Sequence, residues 1–234
     1  MGLTWVFVMG PPRSGTSLMA EVLSVHPQCH ILWETLFPLN LDQAISPRRG
    51  GSSGYLRASF HHTFDPRTGD ISFARSFDWR MSRVLGEPNR VRRVEIPATT
   101  AVRAMCEGLA SAYDGLLWFG DKNPDYCFEW RRLLEIFPDA LFVITDRETE
   151  ATMESVMRQD WSDPRYKTNP QMLRDQIEKY KDAVSGCPNA VTVDIASMNQ
   201  DPRGQVMRVL SYCGMGDEFL DEMVSVVVDG EKVN

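Results

Sequence analysis

Apolar runs alternate along this chain with polar punctuation, and the runs come in two kinds. Residues 3–9 (L-T-W-V-F-V-M) form a short, nearly continuous β-type run, the pattern of a strand buried on both faces. Residues 16–25 carry Leu18, Met19, Val22 and Leu23 at helical spacing, and His26-Pro27 stops that helix. Ile31-Leu32 then leads into Trp33-Glu34-Thr35, which reads as a second strand end. Residues 46–97 are rich in Arg, Gly, Pro and Ser with weak periodicity, which predicts loops and short helices. Regularity returns with a helix near 98–113, a strand at Leu116–Phe119, a helix near 125–136 and a strand at Ala140–Thr145. Helices near 149–158 and 169–185, the strand Ala190–Asp194, and helices near 203–213 and 216–227 complete the pattern. Strands alternating with helices over 234 residues imply a single α/β domain. Its expected form is three-layer α/β/α, with a central parallel sheet of about five strands.

The turn between the first strand and the first helix, Gly10–Ser17, reads G-P-P-R-S-G-T-S. Strand, glycine-rich loop and helix start are the parts of a phosphate cradle, in which backbone N–H groups at a helix N-terminus face an anion. Gly10 and Gly15 keep the spacing of the G-x-x-x-x-G-K-[ST] loop, but Thr16 stands where the lysine would be. The cation is instead Arg13, inside the loop. A loop built this way is poorly equipped for a γ-phosphate, and the planar Arg fork suits a terminal oxyanion held by two donors. Pro12, Arg13, Ser14, Gly15, Thr16 and Ser17 are therefore the candidate anion-binding residues. A tight turn with no ligand would use the same glycines, so the decision falls to the other strand ends.

In an open parallel sheet, ligands bind outside the carboxyl ends of the strands. The polar residues following each predicted strand are Glu34, then Asp121-Lys122-Asn123-Pro124, then Asp146-Arg147, with Ser155 in the next helix. Segments far apart in sequence thus bring Arg13, Glu34, Lys122, Arg147 and Ser155 to one edge of the sheet. Each has a plainer reading: Lys122 as a turn lysine, Glu34 as a helix-start carboxylate, Arg147 paired with Asp146 or Glu150, and Ser155 as a local cap.

Composition narrows the partners. A net charge of −7 argues against general nucleic-acid binding. The charge is uneven, since residues 40–103 hold eleven arginines against six acids. This basic middle reads either as a lid or acceptor seat for anions, or as a solvated insert. Five scattered cysteines without a C-x-x-C pair predict reduced thiols and no zinc site. No apolar run is long enough to span a membrane, and the first cation is Arg13, so a cytoplasmic setting, or a catalytic domain cut from a longer chain, is expected. The His61-His62 pair offers an alternative base, and Trp33, Trp79, Trp118 and Trp130 read as packing residues.

The loop P-P-R-S-G-T-S resembles the 5′-phosphosulfate loop of sulfotransferases, which take sulfate from 3′-phosphoadenosine 5′-phosphosulfate (PAPS). The run R-S-G-T-S-L-M, followed by H-P and W-E-T, resembles the first segment of tyrosylprotein sulfotransferases and their bacterial relatives. The segments G-D-K-N-P and L-L-E-I-F-P-D-A-L-F-V-I-T-D-R resemble that family's second block. Together these blocks cover residues 3–36 and 117–160, about a third of the chain. The resemblance implies catalytic roles for Glu34 as base, for Lys122 in polarising the bridging oxygen, and for Arg13 in stabilising the leaving phosphate. It also implies a 3′-phosphate-binding pair, Arg147 and Ser155, with PAPS as co-substrate and no divalent metal. Two departures stand out. Glu148-Thr149 follows Arg147 where many members have Asp-Pro, and the Arg-Lys-Gly element of cytosolic sulfotransferases has no counterpart near the C-terminus. The acceptor is open among small molecules, glycans, lipids and peptides, and its selectivity is expected in residues 40–115. The competing classes are a P-loop kinase or hydrolase and a non-catalytic binder of adenosine bisphosphate.

Overall fold

The structure is a computed structural model, and it describes residues 2–45 and 98–231. Five strands form one sheet: β1 (Thr4–Met9), β2 (Cys29–Trp33), β3 (Trp118–Lys122), β4 (Leu141–Asp146) and β5 (Ala190–Asp194). Their order is β2-β3-β1-β4-β5, and every pairing is parallel. Among the described residues the helices are α1 (Thr16–Ser24), α2 (Phe37–Ile45), α3 (Ala98–Ala110), α4 (Tyr126–Ile136) and α5 (Thr149–Met157), followed by α6 (Arg165–Thr168), α7 (Pro170–Ala183), α8 (Ile195–Gln200), α9 (Pro202–Cys213) and α10 (Leu220–Glu231).

Successive residues of a strand point to opposite faces, so β1 feeds two cores. Trp5, Phe7 and Met9 face a cluster completed by α2, α3 and α4, including Phe37, Val102, Cys106, Tyr126 and Leu133. Val6 and Val8 face the other cluster, where α1 meets α9 and α10 through Met19, Leu23, Val206, Leu210 and Met223. This is the three-layer α/β/α arrangement expected from the strand–helix alternation. A smaller cluster joins α5 to α7 through Met153, Val156, Leu173 and Ile177.

Several details differ from the sequence reading. The third strand runs Trp118–Lys122 and not Leu116–Phe119, so Asp121 and Lys122 lie within it. Pairing with β1 and β2 on both sides carries the extended backbone past the last apolar residue, Phe119. Helices α2, α6 and α8 were not anticipated; α6 and α8, of four and six residues, are too short to carry a helical period. Asp194 caps α8 by accepting from the Ser197 backbone N–H at 2.7 Å. Helices α2 and α3, within or beside the stretch expected as a basic insert, contribute Phe37, Leu41, Val102 and Leu109 to the core. Residues 46–97, with His61, His62 and Trp79, lie outside the described residues. Trp118 and Trp130 pack as expected: Trp118 donates from Nε1 to the Cys213 carbonyl and Trp130 to the Ala183 carbonyl.

Candidate active site

The β1–α1 loop is built from its glycines and prolines. Gly10 has φ 154°, and a Cβ there would lie 2.3 Å from the Thr145 carbonyl oxygen of β4. The Ser14 N–H closes a turn on the Pro11 carbonyl at 3.1 Å, with Pro12 second and Arg13, at φ 67°, third. A proline followed by a left-handed residue is the type II arrangement, and that third place usually goes to glycine. Gly15, also left-handed at φ 92°, precedes the first turn of α1. Ser14 is fully buried, and its hydroxyl bonds the Thr145 carbonyl and hydroxyl at 3.2 and 2.8 Å. Its side chain thus ties the loop to β4, whereas Pro12, Arg13, Gly15, Thr16 and Ser17 line a cleft of about 1600 Å³.

Arg13 crosses to α5. Its Nε donates to the Ser155 hydroxyl at 3.1 Å, joining residues 142 positions apart. Ser155 is buried and does not itself line the cleft. Arg147, at the end of β4, does line it. The pairing of Arg147 with Asp146 or Glu150 is not found, because Asp146 pairs with Lys181 at 2.9 Å and Glu150 with Arg174. Among the described residues the Arg147 guanidinium makes no ion pair. Glu148, the departure noted above, caps α5 by accepting from the Glu150 and Ala151 N–H groups at 3.0 and 2.8 Å. A carboxylate therefore still starts that helix and leaves the preceding arginine at the cleft.

Glu34 follows β2, and its N–H donates to the Lys122 carbonyl at 2.7 Å, one step beyond the β2–β3 ladder. Its backbone is left-handed, φ 53°. The carboxylate meets the Lys122 ammonium at 2.5 Å; the lysine side chain is 1% exposed and the glutamate 60%. Lys122 Nζ also sits 4.9 Å from the centre of the Trp33 ring. A buried cation is thus held between an indole face and an accessible carboxylate. Glu34 lines the cleft and Lys122 lies just beneath it.

Sequence reasoning missed part of this surface. Asn123, whose side chain accepts from the Asp125 N–H at 2.9 Å, lines the cleft and was visible in the D-K-N-P block. Trp161, Tyr180, Ile195 and Asn199 also line it and carry no motif that sets them apart. Asp121 belongs to the polar run after the third predicted strand, where it carries no role of its own. It is fully buried and accepts four hydrogen bonds, from the N–H and hydroxyl of Thr35, the Leu36 N–H and the Tyr126 hydroxyl. Burial pushes its carboxyl up to about 6, against the pull of those four bonds. Among the described residues no group of His, Cys, Asp or Glu side chains could hold a metal ion, and no helix is long and apolar enough to cross a membrane.

The sulfotransferase family profile matches residues 6–218, nearly the whole chain. The chain belongs to the sulfotransferase family. It is a sulfotransferase enzyme of a family that generally uses PAPS, as the motifs implied. Its fold is similar to that of the sulfotransferase domain from the curacin biosynthetic pathway, with TM-score 0.59 and 15% identity over 94% of this chain and 76% of that one. The sulfotransferase domain from the Synechococcus PCC 7002 olefin synthase is similar at TM-score 0.57 and 17% identity, covering 94% and 76%. A sulfotransferase from Alicyclobacillus acidocaldarius follows the same fold at TM-score 0.52 and 16% identity, covering 94% and 84%. A sequence comparison with curated proteins found no match.

Proposed function

We propose that this sulfotransferase moves a sulfuryl group from PAPS to a hydroxyl or amine acceptor, with Glu34 as the base. The observation that carries the reading is the contact of Lys122 with Glu34, 2.5 Å apart at one edge of a cleft that Arg13 and Arg147 also line. A base, a buried cation and two guanidiniums on one cleft match what sulfuryl transfer asks for. Like phosphoryl transfer, it spreads charge over peripheral oxygens, so positioning and fixed charge do most of the work.

PAPS supplies the activated sulfuryl group and leaves as adenosine 3′,5′-bisphosphate. Its 5′-phosphosulfate is assigned to the Gly15–Ser17 N–H groups and Arg13, and its 3′-phosphate to Arg147, while Ser155 steadies Arg13 from behind the cleft. Two features favour that donor. The start of α1 opens on the cleft, where backbone N–H groups and the helix dipole attract an anion. The second is the Arg147 guanidinium, held on the cleft by the strand end and unclaimed by its acidic neighbours. Ser14 takes a different part, fixing the loop through Thr145. As the acceptor attacks sulfur, its proton passes to the Glu34 carboxylate, and Lys122 offsets the charge left on the departing phosphate oxygen. The kinase alternative has less support, since its loop lysine is missing and Asp121 and Asp146, the aspartates of β3 and β4 nearest the strand ends, are engaged elsewhere.

The test is transfer of label from ³⁵S-PAPS to a panel of phenols, alcohols and amines by the wild-type chain and by Glu34→Gln. The variant should bind adenosine 3′,5′-bisphosphate nearly normally and lose roughly a hundredfold or more in turnover, the scale of a lost general base. Normal turnover in the Gln variant would remove Glu34 from the mechanism.

A further inference from the structure

Asp121 immediately precedes Lys122 in β3, and the alternation of a strand turns the two side chains to opposite faces. Lys122 meets Glu34, and Asp121 enters the core beside Tyr126. Asp121 is nevertheless bound to the same loop. Its Oδ2 accepts from the Leu36 N–H at 2.8 Å, the Thr35 hydroxyl at 2.9 Å and the Tyr126 hydroxyl at 2.7 Å. Its Oδ1 accepts from the Thr35 N–H at 3.3 Å. Thr35 passes the constraint on: its hydroxyl accepts from the Phe37 N–H at 3.1 Å, and its carbonyl from the Asn40 side chain at 2.9 Å.

The residues on either side of Thr35 are strained. Glu34 has φ 53° and Leu36 φ 50°, a conformation that residues other than glycine adopt only when their surroundings hold them there. Three of the four donors on Asp121 come from this segment, so the holding group is identified. A fold alone does not call for a carboxylate in this place, because burying a charge is costly. Four donors converging on two oxygens do call for one, since an amide has a single acceptor oxygen and would turn its NH₂ toward a donor.

We propose that Asp121 is a positioning residue for sulfuryl transfer: its buried carboxylate grips Thr35 and Leu36 and so fixes Glu34 against Lys122 at the cleft. The proposal rests on Glu34 as the base, and its test is chosen to separate the two ideas.

The full chain is compared with Asp121→Asn, Thr35→Val, Thr35→Ser and Tyr126→Phe by amide hydrogen exchange, by titration with adenosine 3′,5′-bisphosphate, and by label transfer from ³⁵S-PAPS. Asp121→Asn should speed exchange at Thr35, Leu36 and Phe37 at least tenfold while β1 and β4 keep their protection. Its affinity for the bisphosphate should stay within about threefold, and transfer should fall at least tenfold in kcat with little change in KM for PAPS. Thr35→Ser keeps the hydroxyl and should behave as wild type, whereas Thr35→Val should follow Asp121→Asn. Tyr126→Phe removes only the donor outside the loop and should leave loop exchange within threefold. If Asp121→Asn fails to fold, the Thr35 pair carries the same comparison. Unchanged protection at Leu36, or uniformly faster exchange across the sheet, would overturn the positioning role. An active Glu34→Gln variant with a loosened loop in Asp121→Asn would instead overturn the base and leave the grip standing.

Discussion

Two loops that line the cleft each carry a charged residue in a left-handed backbone, Arg13 at φ 67° and Glu34 at φ 53°. They are held by different means. The β1–α1 loop is fixed largely by its own residues: glycines where a side chain would clash, prolines that preset the turn, and one buried serine reaching β4. The β2–α2 loop has no glycine or proline between Trp33 and Phe37, and its grip comes from Asp121, 86 residues away from Thr35. The contrast suits the two proposed tasks. An anion cradle needs backbone N–H groups in one fixed shape, which local sequence can encode. A base, the part proposed for Glu34, needs one side chain held at one place against its partner, and a neighbouring strand grips the loop that carries Glu34.

The comparison can be broken first at the locally encoded loop. Gly10→Ala puts a Cβ 2.3 Å from the Thr145 carbonyl and 2.7 Å from the Ser14 hydroxyl, and backbone cannot move aside as a flexible side chain would. We expect ~4 kcal/mol of lost stability by denaturant unfolding, with loss of bisphosphate binding. A loss under ~1 kcal/mol would mean that the loop is less tightly built than its φ angles imply.

The remotely held loop should respond to pH instead. Burial raises the Asp121 carboxyl to about 6, above the ~3.9 of an unfolded aspartate. Between these values the folded chain keeps a proton that the unfolded chain releases, so the stabilisation present below pH ~4 is lost as pH rises through about 6. The stability of wild type relative to Asp121→Asn should therefore fall by about 2–3 kcal/mol between pH 4 and 7. A difference independent of pH would contradict the burial argument. The group would then serve the loop at no cost to the fold.

Arg147→Ala sharpens the distinction between binding and reacting parts at a smaller scale. A guanidinium that holds phosphate equally before and during reaction contributes about 2 kcal/mol, so KM for PAPS should rise roughly thirtyfold with kcat nearly unchanged. A collapse of kcat at constant KM would move Arg147 to the reacting centre.

What was legible in the sequence follows the same division. The layered parallel sheet could be read because continuous apolar runs and helical spacing encode it locally, as could the strand–loop–helix turn from Gly10 and Gly15 and the convergence of Glu34, Lys122 and Arg147 at strand ends. The buried ends of Ser14 and Ser155 could not. A serine in a glycine-rich loop reads as an anion donor, and only the register of β4 turns Ser14 toward Thr145. The surroundings of Asp121 could not be read for a similar reason, since a lone aspartate after an apolar run says nothing of the four donors that tertiary packing brings to it. Short capped helices such as α8 were missed because six residues give too little periodicity to register.

The most direct test of the account is a thermal-melting comparison of two nucleotides. The absence of a loop lysine, with Arg13 and Arg147 at the cleft, predicts that adenosine 3′,5′-bisphosphate stabilises the protein more than ATP with magnesium does. At about a hundred times its Kd the bisphosphate should add roughly 2.7 kcal/mol to the unfolding free energy. An equal or larger melting shift with magnesium-ATP would contradict the assignment of this cleft to a PAPS-type donor.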